Sequence, residues 1–416
     1  MREAISSALP PVAGRDASGP LVAPLPAWRE SLRVAAIAFA ATRLLVWVTG
    51  MAAAHWAGLS SRAGDFDPQH LTGGLLAAPG ARWDTVWFVD IAHHGYADVM
   101  HTAFFPLYPF LARAVGAPFA SSLLGGFLVS FAAAIAALTV LHRLAHLELG
   151  ERAATASVWL LATFPAAFFL SAVYSEALFL ALSLGSVYAA RVDRWWVAGV
   201  LGGFAALTRS AGVLLLVALV VLWWTHSPRR PADLAKLGLV PLGLLVYCLA
   251  LEGNGLGFAA PFDAQKLWFR EFAYPFAGVW DGAVAAFDGA RQLLSGAKFP
   301  IYFTKAGGDP FIVAGHNLQL FASLLALVPM VVGVLRRLPL AYGLYTLAAL
   351  TLALSYPVGP EPLMSLPRFA LVLFPLFLWL GWWAVRRAWR LPVLASAFMG
   401  LQLAAVAEFA TWHWVA

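Results

Sequence analysis

The chain has little of what a water-soluble fold or a cross-linked domain requires. Only 12% of its 416 residues are Asp, Glu, Lys or Arg, against about 25% in an average soluble domain. One cysteine, Cys248, is present, which excludes a disulfide framework and a cysteine-rich metal site. There is no dense basic run behind the net charge of +6, so the arginines read as loop anchors and no nucleic-acid partner is expected. The short alternating strands of a membrane β-barrel are missing as well. The N-terminal stretch, Met1–Ala27, has no apolar core and so lacks the h-region of a secretory signal.

What is abundant is apolar and aromatic. Hydrophobic residues make up 61% of the chain, with 18 tryptophans, and the mean hydropathy is +0.77. Windows of about 20 apolar residues recur, long enough to cross a bilayer core of about 30 Å, and tryptophans flank them as interfacial belts do. The expectation is an all-α polytopic membrane protein with about eleven spans. Residues 1–30 would form a disordered cytoplasmic tail and 31–416 a single membrane domain. Arginines at the loop ends put the N-terminus inside and the C-terminus outside. Two large loops, about 56–118 and 252–310, then face outward and carry interfacial helices.

Two local features sharpen this reading. Arg43 falls inside the first span, where a charge is costly, so it should face a cavity, an acid or a backbone carbonyl. The apolar stretch from Trp195 to Trp224 has basic residues at both ends. If both ends are cytoplasmic, the segment turns back at Thr208-Arg209-Ser210-Ala211-Gly212 as two half-spans, and such a break is tolerated only around a cavity.

The polar residues concentrate on the outer side: Asp84, His93, Tyr174, Glu176, Arg209, Lys266, Arg270, Glu361 and Arg368. The richest run is Ala81–Pro109. Its section from Trp83 to Gly95 is helical in period, with Trp83, Trp87, Asp90 and His94 on one stripe. Asp90 lies about 240° around the helix from Asp84, so the two acids cannot meet at one atom; Asp90 and His94 read instead as an i,i+4 pair. Asp65-Phe66-Asp67 has the form of a D-x-D metal motif, but two acids in a solvated loop are common. His93, His94 and His101 lack a compelling ligand spacing, and no metal is expected.

Trp83-Asp84, His94-Gly95-Tyr96 and Phe104-Phe105-Pro106-Leu107-Tyr108-Pro109, followed by Tyr174-Ser175-Glu176, Thr208-Arg209-Ser210 and Pro367-Arg368-Phe369, occur in that order. In this the chain resembles the PIG-V family, the GPI mannosyltransferase 2 enzymes and their bacterial relatives of the GT-C class. The resemblance implies a membrane-embedded, metal-independent inverting mannosyltransferase. It would take a polyprenyl-phosphate-mannose donor and a glycolipid or glycan acceptor outside the cytoplasm, among membrane lipids, with room for a small membrane subunit. It marks Asp84 as the base. Arg368 and Arg209 suit the donor phosphate, because arginine binds phosphate in a bidentate fork; His94 or His93 could add a hydrogen bond. Trp83, Tyr96, Tyr174, Glu176, Arg270 and Lys266 complete the candidate substrate contacts. Bland roles stand beside these: Asp84 or Glu176 as helix-start acids, and Lys266, Trp268 and Arg270 as headgroup anchors. A transporter or flippase, a non-catalytic assembly subunit, and a transferase of another polyprenyl-linked sugar are the rival functions. Short inner loops and an Ala- and Arg-rich composition point to a bacterial plasma membrane rather than an endoplasmic reticulum.

Overall fold

The computed structural model describes residues 26–58, 66–67, 69–226, 228–296 and 309–415. Most of the tail and Asp65 of the D-x-D motif lie outside the described residues. The described residues are helical throughout, with no strand beyond one isolated bridge between Arg270 and Val358. The first helix, α1 (Trp28–Trp56), begins three residues earlier than the expected domain edge. Two short helices follow, α2 (Asp84–His94) and α3 (Leu107–Gly116), and then the long α4 (Ser122–Leu149). α4 runs on through the HRLAHLEL segment, because Leu141, Leu144, Ala145 and Glu148 continue a buried helical stripe.

The next elements are α5 (Glu151–Thr163), α6 (Glu176–Arg191), α7 (Trp195–Ala206) and α8 (Leu215–Thr225). The apolar run Ala154–Leu170 is not one continuous helix. α5 stops at Thr163, two residues before Pro165, whose ring disfavours helical backbone in the residue ahead of it. The chain continues through α9 (Pro231–Lys236), α10 (Leu239–Gly253), α11 (Ala260–Leu267), α12 (Ala277–Ser295) and α13 (Pro310–Arg337). It ends with α14 (Leu340–Leu354), α15 (Leu366–Leu371), α16 (Phe374–Ala384) and α17 (Arg390–Ala410). The apolar run Phe369–Val385 is likewise split, with Pro375 in the first turn of α16. Among the described residues five helical stretches are long and apolar enough to cross a membrane: α1, α4, Pro231–Gly253, α13 and α17. Four shorter apolar helices stand among them. The protein is an all-α polytopic membrane protein.

α6 gives the molecule its two ends. It starts at Glu176 and finishes at Arg191, about 22 Å apart at 1.5 Å per residue. At the Arg191 end, Glu148 accepts from Arg191 Nε at 2.5 Å and from the Tyr342 hydroxyl at 2.7 Å. Arg143 there donates to the Pro26 carbonyl, so the chain enters α1 at this end. Arg337 and Arg386 lie over Trp382, and Arg390 lies over Trp383. The C-terminal end of α17 is at the opposite pole, where Arg82 Nε donates to the Ala410 carbonyl.

The turned-back segment forms. His226 lies 3.4 Å from Asp193, and its ring meets Trp195 at 5.8 Å, so α8 finishes where α7 began. At 12 and 11 residues, the two helices are about 18 and 16 Å long, each too short to span alone. α7 is pressed against α10 so closely that a Cβ on Gly243 would sit 2.1 Å from the Gly203 carbonyl oxygen, the small-residue contact by which helices associate in lipid. Arg43 finds carbonyls, as its position required. Its guanidinium donates to Ala167 O at 2.5 Å and Ala162 O at 2.8 Å, taking up acceptors freed where α5 stops.

The hairpin makes a direct prediction. In a Cys248→Ser background, Arg194→Cys and Arg229→Cys should react with an impermeant thiol reagent from one side of a sealed vesicle and Ser210→Cys from the other. Labelling of all three from one side would contradict the fold.

Candidate functional site

Asp84 opens α2, and the backbone leading into it is strained. Trp83 has φ 55° and ψ −114°, a region costing about 1–3 kcal/mol that persists only where its surroundings enforce it. Tyr174 supplies that enforcement. Its buried hydroxyl donates to the Arg82 carbonyl at 3.0 Å and accepts from the Asp84 amide at 3.1 Å, so one oxygen clamps the chain on both sides of Trp83. The Trp83 ring is packed by Phe66, Trp412 and Trp414.

The same tyrosine lies under Arg368, whose guanidinium carbon is 4.9 Å from its ring centroid and 4.8 Å from that of Phe169. Arg368 is only 8% exposed. It donates to Glu176 Oε1 from Nε (3.0 Å) and Nη2 (2.7 Å), and to Asp84 Oδ2 from Nη2 (2.9 Å). Arg209 Nη1 reaches the same Glu176 oxygen at 2.8 Å and Ser175 Oγ at 3.3 Å. Two acids and two arginines thus form a neutral buried quartet, the arrangement that makes buried charge tolerable. Glu176, 0% exposed, lies behind the cavity wall as the anion that holds both cations. Asp84 keeps one oxygen, Oδ1, with no hydrogen bond among the described residues.

Asp84, Arg209 and Arg368 border a cavity of about 1840 Å³, above the roughly 300–1,000 Å³ of ordinary small-molecule sites. It has room for two substrates side by side. Trp83, Lys266 and Arg270 also line it. Arg270 donates to the Met364 carbonyl at 3.1 Å and lies over Phe369. It has no carboxylate partner among the described residues, and burial pulls its guanidinium down to about 10 while Arg368 and Arg209 press in the same direction. The structure also brings in Trp87, His316, Glu361, Glu408, His413 and Trp414. Of these, His316, Glu408, His413 and Trp414 escaped the sequence reading. His316-Asn317 is a polar pair near the start of an apolar helix, and that was the signal available for it.

Other candidates sit elsewhere. His93 and His94 are exposed at the end of α2, outside the cavity. His94 pairs with Asp90 at 2.8 Å, the expected i,i+4 contact, and His101 bridges Asp90 and Asp98. Partial burial works to raise the Asp90 carboxyl, but the bonds from His94 and His101 outweigh it and hold it below its ordinary range. Tyr96 donates to the Phe104 carbonyl at 2.7 Å and packs on Tyr247, so it braces the loop. Asp67 organises its own turn, accepting from Leu71 N, Thr72 N and Thr72 Oγ1. Among the described residues no cluster of three or more His, Cys, Asp or Glu is arranged around a metal position.

A multi-helix membrane protein with a large, mainly apolar cavity bordered by arginines and carboxylates, Asp84 among them, is the class that this geometry defines. Residues 52–226 match the Mannosyltransferase (PIG-V) family. The chain is also similar to GPI alpha-1,6-mannosyltransferase 2 of Rattus norvegicus, 32% identical over 49% of this chain and 42% of the relative. The protein of the same name from Mus musculus is 36% identical over 35% of this chain and 31% of the relative. The resemblance read from the motifs is borne out over residues 52–226. It matches less than half the length of these curated relatives. No solved structure matches it.

The quartet predicts a stability pattern. Glu176→Ala should destabilise the protein by about 3–5 kcal/mol, because two buried cations lose their shared anion. Adding Arg368→Met should restore part of that loss. Buried Cys248 makes thermal unfolding readable with a thiol-reactive dye. Equal melting of wild type and Glu176→Ala would remove the quartet from the account of stability.

Proposed function

We propose that the protein is an inverting mannosyltransferase using a polyprenyl-phosphate-mannose donor, with a lipid-linked or cell-envelope glycan as acceptor. The observation that carries this reading is Asp84. One of its oxygens is fixed by Arg368 and the other is left free at the wall of a two-substrate cavity. The names of the PIG-V relatives support the sugar.

In this reading Asp84 Oδ1 takes the proton of the acceptor hydroxyl as that oxygen attacks the anomeric carbon from the face opposite the phosphate. The new C–O bond forms while the bond to the phosphate oxygen breaks, and the phosphate leaves with the electron pair. General-base help of this kind contributes about 10²–10⁴-fold. Arg270 and Lys266, which have no carboxylate partner among the described residues, are the groups best able to stabilise the leaving phosphate. Arg368 acts one step back, since Glu176 and Asp84 already take its Nε and Nη2, and Arg209 is tied to Glu176 through Nη1. We take the reaction to run on these fixed charges without a divalent cation.

The extracytoplasmic side is supported by charge. Arg143, Arg191, Arg337, Arg386 and Arg390 gather at the end of the bundle away from Asp84, and arginines favour the cytoplasmic face. A bacterial plasma membrane fits the short inner loops.

Purified protein incubated with labelled polyprenyl-phosphate-mannose and a membrane lipid extract should give a labelled glycolipid. Asp84→Asn should lower kcat at least about 10²-fold with little change in the donor's KM. A wild-type protein that moves the donor across a vesicle but forms no product would sink the proposal.

A further inference from the structure

The cavity has a second polar wall that the transfer chemistry above does not use, and its character is opposite to the cationic one. Glu361, 6% exposed, is held through Oε1 by His316 Nδ1 at 3.1 Å. Its other oxygen, Oε2, is buried with no hydrogen-bond partner. The indole N–H groups of Trp83 and Trp414 are likewise buried and unpartnered, and their rings meet edge to face at 5.2 Å. Glu408 lies within electrostatic reach of His316 and lines the cavity with them. A buried polar atom without a partner costs about 1–3 kcal/mol, so one acceptor and two donors unpaired among the described residues, in side chains that line a single cavity, call for a ligand with complementary groups.

The chemistry narrows that ligand. A phosphate would be repelled by Glu361 and Glu408. A purely apolar chain would leave all three polar atoms unsatisfied. A sugar ring offers hydroxyls that donate to a carboxylate and accept from indole N–H groups, and an apolar face that packs on tryptophan. Trp83 precedes Asp84 in sequence, so this set of groups adjoins the proposed base.

We propose that His316, Glu361, Trp83 and Trp414 form the acceptor's sugar subsite. A pyranose ring lies against Trp414, one hydroxyl donates to Glu361 Oε2, and His316 positions the carboxylate. The assignment rests on the transferase reading and adds to it where the acceptor enters.

Saturation-transfer NMR on protein in glycoside-free nanodiscs tests it, with methyl α-D-mannopyranoside and methyl β-D-glucopyranoside as probes and choline as a cationic control. At least one pyranoside should bind saturably, and choline should not compete. Glu361→Gln should weaken binding roughly tenfold, the loss expected for one hydrogen bond to a charged group. Trp414→Phe, which keeps a ring but removes the N–H, should weaken it several-fold, and Arg270→Met should leave it unchanged. Trp414→Phe carries the test if Glu361→Gln does not fold. Unchanged affinity in the folded variants would overturn the subsite, as would effective competition by choline. Because no donor is present, sugar binding that responds to these variants in a protein with no transfer activity would count against the reaction and not the subsite.

Discussion

The site depends on compensating the charge of one buried guanidinium. Arg368 lies almost out of solvent, and an uncompensated charge there would cost several kcal/mol. Glu176 and Asp84 supply the compensation from two distant parts of the chain, and Arg209 balances the second carboxylate. That requirement fixes the start of α2, the start of α6 and the short helix α15 against one another. It also fixes what remains available for chemistry. Once Arg368 has taken one oxygen of Asp84, only the other can face a substrate.

Breaks in helices deliver these groups. Asp84 follows a strained turn at Trp83, Arg209 sits between two half-helices, and Arg368 lies in a six-residue helix entered through Ser365 at φ 67°. Irregular backbone inside a membrane bundle is tolerated where it borders a cavity, and all three breaks do. Tyr174 joins two of them, clamping the turn at Trp83 and stacking on Arg368. Rigid supports of this kind are what hold a reacting carboxylate in position.

The cavity carries charge of both signs. Arg270 and Lys266 line it together with Asp84, Glu361, Glu408 and the paired indoles. A transferase must bring a phosphate-bearing donor and a hydroxyl-bearing acceptor together without confusing them. Cations free for a phosphate and acceptors free for hydroxyls would favour each substrate at its own place.

Composition and periodicity were enough to establish a helical membrane protein, the helix at Trp83–Gly95, the Asp90–His94 pair and the reversal near Arg209. Each follows from hydropathy or from spacing along a single element. Motif order was enough to select Trp83-Asp84 and the PIG-V resemblance. The breaks at Pro165 and Pro375 were legible in principle but were obscured by the apolar runs around them. Partnerships between distant residues were not legible. Nothing local shows that Glu176 is buried beneath Arg368, that Tyr174 reaches the amide of Asp84, or that His316 meets Glu361 across 45 residues. Those contacts arise because folding brings separate helix ends to one pole of the bundle, where buried charges must find partners whatever their distance along the chain. The sequence therefore determined the fold class and the candidate base, while tertiary structure alone decided which cations are already neutralised and which remain free for a substrate.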